Sequence, residues 1–155
     1  MENEAGARAH CRALESLYAS APVNSYFGSR LIITQPGLSA IDFMVERQHF
    51  HAAGAAHGTI YFKMLDDAAF YAANTMVTDM FLLTTAFNLL LTRPMKAGPA
   101  RAEGRWVSGR RRVLVAEARI IDSSGDEVAR GTGTFMRSRI TLASLSGYTA
   151  GAAGD

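Results

Sequence analysis

Apolar residues recur at helical spacing from about position 4 to 20, where Ala7, Cys11, Leu14 and Leu17 or Tyr18 share one stripe. Pro22 and Gly28 follow as stop signals. Two β-type runs, 31–34 and 39–45, flank Gln35-Pro36-Gly37 and predict a hairpin. The stretch 50–56, rich in Ala, Gly and His, predicts an irregular approach to the next element. Positions 58–75 then carry apolar residues on nearly every face, with no Gly or Pro after Gly58. A helix apolar all round is a buried helix. Four strand-like runs follow, 82–91, 100–107, 113–121 and 127–136, with Ser108-Gly109 and Asp122-Ser123-Ser124-Gly125 as turns.

The resulting class is α+β: one long central helix wrapped by a curved antiparallel sheet of five or six strands. Short turns between consecutive strands predict that the last four form a meander. The domain division reads as a helical N-terminal extension (1–28), one α+β domain (29–140) and a Gly- and Ala-rich disordered tail (141–155).

Composition narrows the class of protein. At 155 residues the chain is one domain, and 48% hydrophobic with 19% charged residues excludes a disordered protein. No apolar run reaches the roughly 20 residues of a membrane span. The acidic start MENEAGARAH is no signal peptide, and the single cysteine, Cys11, excludes an internal disulfide framework. A cytoplasmic protein with no membrane partner is expected. The net charge of +2 hides an asymmetry: positions 1–92 sum to −3, and positions 93–139 to +6. A basic half suits an anionic partner. With no interleaved aromatics, zinc-finger cysteines or helix-turn-helix pattern, a phosphate-bearing small molecule fits better than nucleic acid.

The candidate chemistry lies in the stretch 51–74. Gly58 opens the predicted helix, so its N–H and that of Thr59 lack intrahelical acceptors and can hold an anion or a developing oxyanion. The competing reading is a glycine that merely breaks structure before a helix. Two turns on, Asp66 and Asp67 sit in apolar surroundings, where carboxylates are costly unless paired or functional. Asp66 shares its lane with Phe62 and Phe70, Asp67 with Lys63 and Tyr71. Lys63 therefore partners Asp67, or else Asp66 three residues away, and Asp66 is the better candidate for a dry carboxylate. Both acids could also be ordinary polar points on a half-exposed helix. His49, His51 and His57 could suggest zinc, but no nearby cysteine supports it; no metal is expected.

The stretch resembles the hotdog-fold thioesterases of the phenylacetate-pathway (PaaI-like) group, whose pattern is Asn-x-x-Gly-x-x-His-Gly-Gly with an Asp or Glu nine positions after the His. Gly54, His57, Gly58 and Asp66 match in register, while His51 stands for the Asn and Thr59 for the second Gly. The likeness continues through Leu83-Thr84-Thr85-Ala86-Phe87-Asn88, Arg93-Pro94, Gly98, Gly109-Arg110, Gly125, Gly131 and Gly133-Thr134-Phe135, covering about 31–139.

The resemblance implies hydrolysis of acyl-CoA or acyl-carrier thioesters, with coenzyme A as part of the substrate and no other cofactor. It implies Asp66 as general base or nucleophile, the Gly58 N–H polarising the carbonyl, and Thr84 holding the water or the carboxylate, where the competing reading is a plain strand threonine. His57 would fix the loop, and His51 would replace the lost Asn. It further implies a homodimer, or a dimer of dimers (homotetramer), with sites at the interface. Distance agrees: Gly58 and Asp66 are about 12 Å apart at 1.5 Å per helical residue, too far to grip one carbonyl within one chain. Arg110-Arg111-Arg112 would bind the phosphates of coenzyme A, or simply form a solvated strand end. Phe62, Met64, Phe70, Met76, Phe81 and Phe87 line an acyl pocket or serve as plain core. The alternatives are a non-catalytic acyl-CoA-binding hotdog protein and a hotdog hydratase or dehydratase, whose His and acid pair is not placed here.

Overall fold

A computed structural model describes residues 2–150. Helix α1 (Glu2–Ser20) and a 3-10 turn (Pro22–Tyr26) lead into strands β1 (Arg30–Gln35) and β2 (Leu38–Val45). A second 3-10 turn (Arg47–His49) precedes helix α2 (Gly58–Asn74). Strands β3 (Met80–Leu91), β4 (Gly98–Ser108), β5 (Val113–Ile121) and β6 (Glu127–Thr141) follow, and a 3-10 turn (Leu142–Ser144) closes the series. All six strands form one antiparallel sheet in the order β1-β2-β4-β5-β6-β3.

Alternation decides which face meets the helix. Leu114, Ala116, Ala118 and Ile120 of β5 are buried, while Glu117 and Arg119 between them face outward. Small residues set how closely the layers approach. Ala68, Ala69, Ala72 and Ala73 of α2, and Ala102, Ala116 and Ala118 of the sheet, are all buried. At Gly104 a Cβ would fall 2.1 Å from the Ala68 carbonyl oxygen, so only glycine fits. Ser39 Oγ donates to that same oxygen at 2.6 Å. The helix is thus gripped at its middle, which fixes how far its carboxylates lie from the sheet edge.

The expected meander holds only for β4, β5 and β6. Strand β3 does not pair with β4; it crosses to the far edge and pairs with β6. A six-residue link containing Pro94, too long and too stiff for a hairpin turn, runs past the start of α2. Tyr61 Oη donates to the Arg93 carbonyl at 2.8 Å, and the Ala56 N–H to the Met95 carbonyl at 2.9 Å. The length of β3 therefore lies along an open edge, beside α2.

The expected disordered tail does not begin at 141. Leu142 is fully buried, and its N–H bonds the Asp79 carbonyl at 2.9 Å. Tyr148 reaches α1, where its hydroxyl meets His10 Nδ1 at 2.5 Å. His10 Nε2 is 2.9 Å from the Asn74 carbonyl, which makes Nε2 the donor and Nδ1 the acceptor. Burial holds this imidazole below its usual titration range. The rest of that tail, 151–155, lies outside the described residues.

The basic half is mostly neutralised on the outer face of the sheet. Arg101 pairs with Asp42, Arg119 with Glu103, Arg105 with Glu117 and Arg130 with Glu127. Among the described residues no helix is long and apolar enough to cross a membrane.

Candidate active site

Asp66 lies midway along α2, half-buried in one lane between Phe62 and Phe70. Thr84 Oγ1 on β3 donates to its Oδ1 at 2.8 Å. Burial pushes the Asp66 carboxyl up to about 6. The Thr84 bond opposes that rise, the adjacent Asp67 charge adds to it, and Lys63 counters it. A carboxylate so tuned is ionised at neutral pH yet basic enough to take a proton from water.

A β-bulge just after Thr84 brings an aromatic side chain onto the same face. Register between β3 and β6 slips between Thr84, opposite Phe135, and Ala86, opposite Thr134. The extra residue reverses the alternation, so Leu82 and Thr84 face the helix before the bulge and Phe87 and Leu89 after it. Phe87 then meets Phe62 edge-on, with ring centroids 5.8 Å apart. Its ring lies over Gly131 and Gly133 of β6, where any Cβ would approach within 2.4 and 2.6 Å of it. Asp66 is thus flanked by an aromatic pair on a glycine floor, and Phe62 stays 41% exposed.

The N-terminus of α2 is built by His57. Its Nδ1 accepts from the Thr59 N–H at 3.1 Å, and its carbonyl accepts from the Ile60 N–H at 3.0 Å. The Thr59 amide is therefore occupied, and Gly58 retains the free N–H of the first turn among the described residues. A Cβ on Gly58 would meet only Leu91 Cδ1, at 3.6 Å, so nothing within the chain demands glycine there. His51 is exposed, and its Nδ1 accepts from the Ala53 N–H at 3.0 Å in the preceding turn.

Asp67 differs from its neighbour. It forms an ion pair with Lys63, one turn earlier on α2. Lys63 Nζ also donates to Asn24 Oδ1 at 2.6 Å and lies 5.4 and 5.3 Å from the ring centroids of Tyr18 and Phe27. Burial raises the Asp67 carboxyl, and Lys63 pulls it back.

The structure brings Asp66 and Thr84 together and leaves Gly58 and His57 at the far end of the exposed helix face. Arg110, Arg111 and Arg112 are exposed in the β4–β5 loop, with Arg110 stacked 5.2 Å from the Trp106 ring centroid. That loop adjoins the C-terminal end of α2: Trp106 N–H bonds the Gly37 carbonyl at 2.8 Å, and Gly37 N–H bonds Thr75 Oγ1 at 2.6 Å. Within one chain, the arginines and Gly58 therefore lie at opposite ends of a helix about 25 Å long. Met64, Phe70 and Phe81 pack in or against the core, as does Met76. His49, His51 and His57 do not converge, and among the described residues no three His, Cys, Asp or Glu side chains gather to hold a metal.

Three features escaped sequence reasoning. The bulge at Thr85 has no signal in the pattern. Asn24 as partner of Lys63 is 39 residues distant, with nothing to mark it. Buried Asn74 accepts from the Leu82 N–H and donates to the Val77 and Met80 carbonyls, setting the start of β3. An Asn inside an apolar helix end was the available hint.

The model of the thioesterase superfamily matches residues 53–129, from the loop before α2 into β6. The PaaI protein of the E. coli phenylacetic acid degradation operon superposes with a TM-score of 0.78, at 21% identity over 89% of this chain and 97% of that one. A thioesterase family protein from Silicibacter pomeroyi gives a TM-score of 0.73, at 25% identity over 80% and 96% of the two chains. A Saccharolobus solfataricus protein named for a suspected esterase activity is 26% identical over 117 residues, 76% of this chain and 78% of that protein. The sheet wrapped on α2 is a hotdog fold, and the chain belongs to the thioesterase superfamily. Within that superfamily it is PaaI-like.

Proposed function

We propose that the protein is a homodimeric thioesterase that hydrolyses acyl-CoA-type thioesters, with Asp66 as the catalytic carboxylate. The observation that carries this reading is Asp66 itself: a half-buried acid at the centre of an apolar helix, hydrogen-bonded by Thr84 and raised to about 6. Such a group is costly to fold and is retained where it reacts. Family membership supports thioester hydrolysis in the broad sense.

The free edge supports a site shared between subunits. Strand β3 is twelve residues long and unpaired on one side, with Leu83, Leu90 and Leu91 at 49%, 62% and 48% exposure. Such an edge invites a partner strand. An isologous antiparallel pairing centred between Phe87 and Asn88 would put Thr84 opposite Leu91 of the partner subunit. Asp66 sits against Thr84 and Gly58 against Leu91. Asp66 would then face Gly58 of the partner subunit, closing the gap that one chain leaves open. The two α2 helices would run antiparallel, so the arginine loop of one subunit approaches the partner's site from its Gly58 end. Three exposed arginines there suit the phosphates of coenzyme A.

In this arrangement the free Gly58 N–H, with the positive end of the α2 dipole, stabilises negative charge growing on the thioester oxygen. Asp66 removes a proton from the attacking water, or attacks the carbonyl itself to give a mixed anhydride that water then opens. The thiol leaves in either case. His57 holds the amide geometry at the helix start, and exposed His51, its Nδ1 taken by the Ala53 N–H, would offer only Nε2 to substrate or water.

The test is thiol release from a panel of aromatic and aliphatic acyl-CoAs, wild type against Asp66→Asn. Turnover falling at least about a hundredfold in the variant supports the reading. Hydrolysis that survives the substitution removes Asp66 from the mechanism. Binding of the panel without hydrolysis turns the protein into an acyl-CoA-binding hotdog protein.

A further inference from the structure

The second acid of α2 has its own apparatus. Lys63, Asp66 and Asp67 occupy two successive turns, with Lys63 three residues before one carboxylate and four before the other. The lysine commits to Asp67, and its remaining valences go to Asn24 and to the faces of Tyr18 and Phe27. Those three partners belong to α1 and the segment that links it to β1, outside the sheet and helix that make the site. The N-terminal segment therefore clamps a cation at a fixed place beside Asp66.

We infer that Lys63 is a positioning residue for Asp66: held by Asn24 and paired with Asp67, it sets the electrostatic balance under which Asp66 works. This inference rests on the reading of Asp66 as the reacting carboxylate. The groups that face Asp66 are few. From α2 come Lys63, Asp67 and the apolar Phe62 and Phe70; from β3 comes the neutral hydroxyl of Thr84. From α1, Tyr18 acts on Asp67, and so does Tyr71 within α2. Among the described residues, Lys63 and Asp67 are thus the two charges that act on Asp66, with opposite signs.

The opposition gives a test that a merely structural role fails. Lys63→Met removes the favourable cation, so the Asp66 titration moves to higher pH. Asp67→Asn removes the unfavourable anion and leaves Lys63 in place on Asn24, so it moves to lower pH. Each shift is about one pH unit for charges this near in a partly wet site. The double variant Lys63→Met/Asp67→Asn falls between the two and guards against poor folding of Lys63→Met, since it leaves no unpaired buried charge.

Two readouts are taken on each variant: the NMR titration of the Asp66 side-chain carboxyl carbon, and the acid limb of kcat/KM for the best acyl-CoA of the panel. Opposite shifts in the carboxyl titration support the inference whether or not the protein turns over a thioester. If the limb follows them, the same carboxyl controls hydrolysis. Shifts of one sign in both single variants, or none, overturn the inference. Opposite NMR shifts with no thioester hydrolysis leave the balance at Asp66 intact and overturn the proposed activity instead.

Discussion

Asp66 and Asp67 are neighbours in sequence, on one helix, both half-buried, and their surroundings treat them in opposite ways. Asp67 faces inward to α1 and is given a full positive charge at contact. Asp66 faces the open edge and is given one neutral hydroxyl. A cation returns most of what a carboxylate loses on leaving water, whereas a single hydroxyl returns only part. One acid is therefore fastened and the other held ready to react. The contrast predicts that substitutions on the two sides have their largest effects on different quantities: rate on the Asp66 side, stability on the Asp67 side.

The largest effect is expected on rate. Asp66→Asn keeps the shape of the side chain and its contact with Thr84 but removes the base, and kcat for acyl-CoA hydrolysis falls at least about a hundredfold. Asp67→Asn, assayed alongside at pH 8, retains kcat within a few-fold. Equal losses in the two would dissolve the distinction between them.

Next comes stability on the other side. Lys63→Met strands the Asp67 carboxylate against aromatic rings. Losing one partner of a fully buried pair costs about 3–5 kcal/mol, and the partial exposure of this pair reduces that to about 2–3 kcal/mol. For a chain of this size the melting temperature drops by roughly 5–10 °C. Differential scanning calorimetry at pH 7 measures it, and an unchanged melting point would show the pair to be solvated in practice.

Much of this architecture is legible in the sequence, for reasons that also mark its limits. The helix at 58–74 stands out as a long apolar run opened by Gly58 and free of Gly and Pro thereafter, and strand 113–121 as a β-type run bracketed by turn residues. Asp66 is conspicuous because it interrupts an apolar helix. Strand order is another matter: the residues of β3 mark it as a strand but carry no sign of which strand lies beside it, so the crossing to β6 is not legible in the sequence. The bulge at Thr85 is equally silent, although it alone lets Thr84 and Phe87 share a face. The closing segment reads as a tail because Gly147 and the glycines beyond it outweigh Leu142 and Tyr148, which pack on the body of the protein.

A smaller effect ties the two sides together through pH. The Asp66 carboxyl titrates near 6 in the folded chain against 3.8 for the free side chain. The folded state therefore holds this proton more tightly. Its contribution to stability is greatest below pH 4 and is lost as pH rises through 6. Asp66→Asn removes that loss, so the variant should be about 1–2 kcal/mol more stable than wild type at pH 7.5, allowing for the open side of the site. The advantage fades between pH 6 and 4. Urea unfolding at pH 7.5 and 4 measures both ends, and a variant less stable at pH 7.5 would mean that Asp66 is structural.

The finest division lies within the Asp66 side, between tuning the carboxylate and aiming it. Thr84→Val preserves volume and β-branching but deletes the donor at 2.8 Å from Oδ1. That bond favours the ionised acid, so its loss moves the Asp66 titration to higher pH. A hydrogen bond to a charged group contributes about 1.5–3 kcal/mol, or roughly one to two pH units. At pH 6 the rate of the variant should fall several-fold, while at pH 8, where Asp66 is ionised in both proteins, the two rates converge. If the plateau at pH 8 falls as well, Thr84 also orients the carboxylate toward its water. An unmoved acid limb would show that water takes over the role of the hydroxyl, and that burial together with Lys63 and Asp67 accounts for the tuning of Asp66.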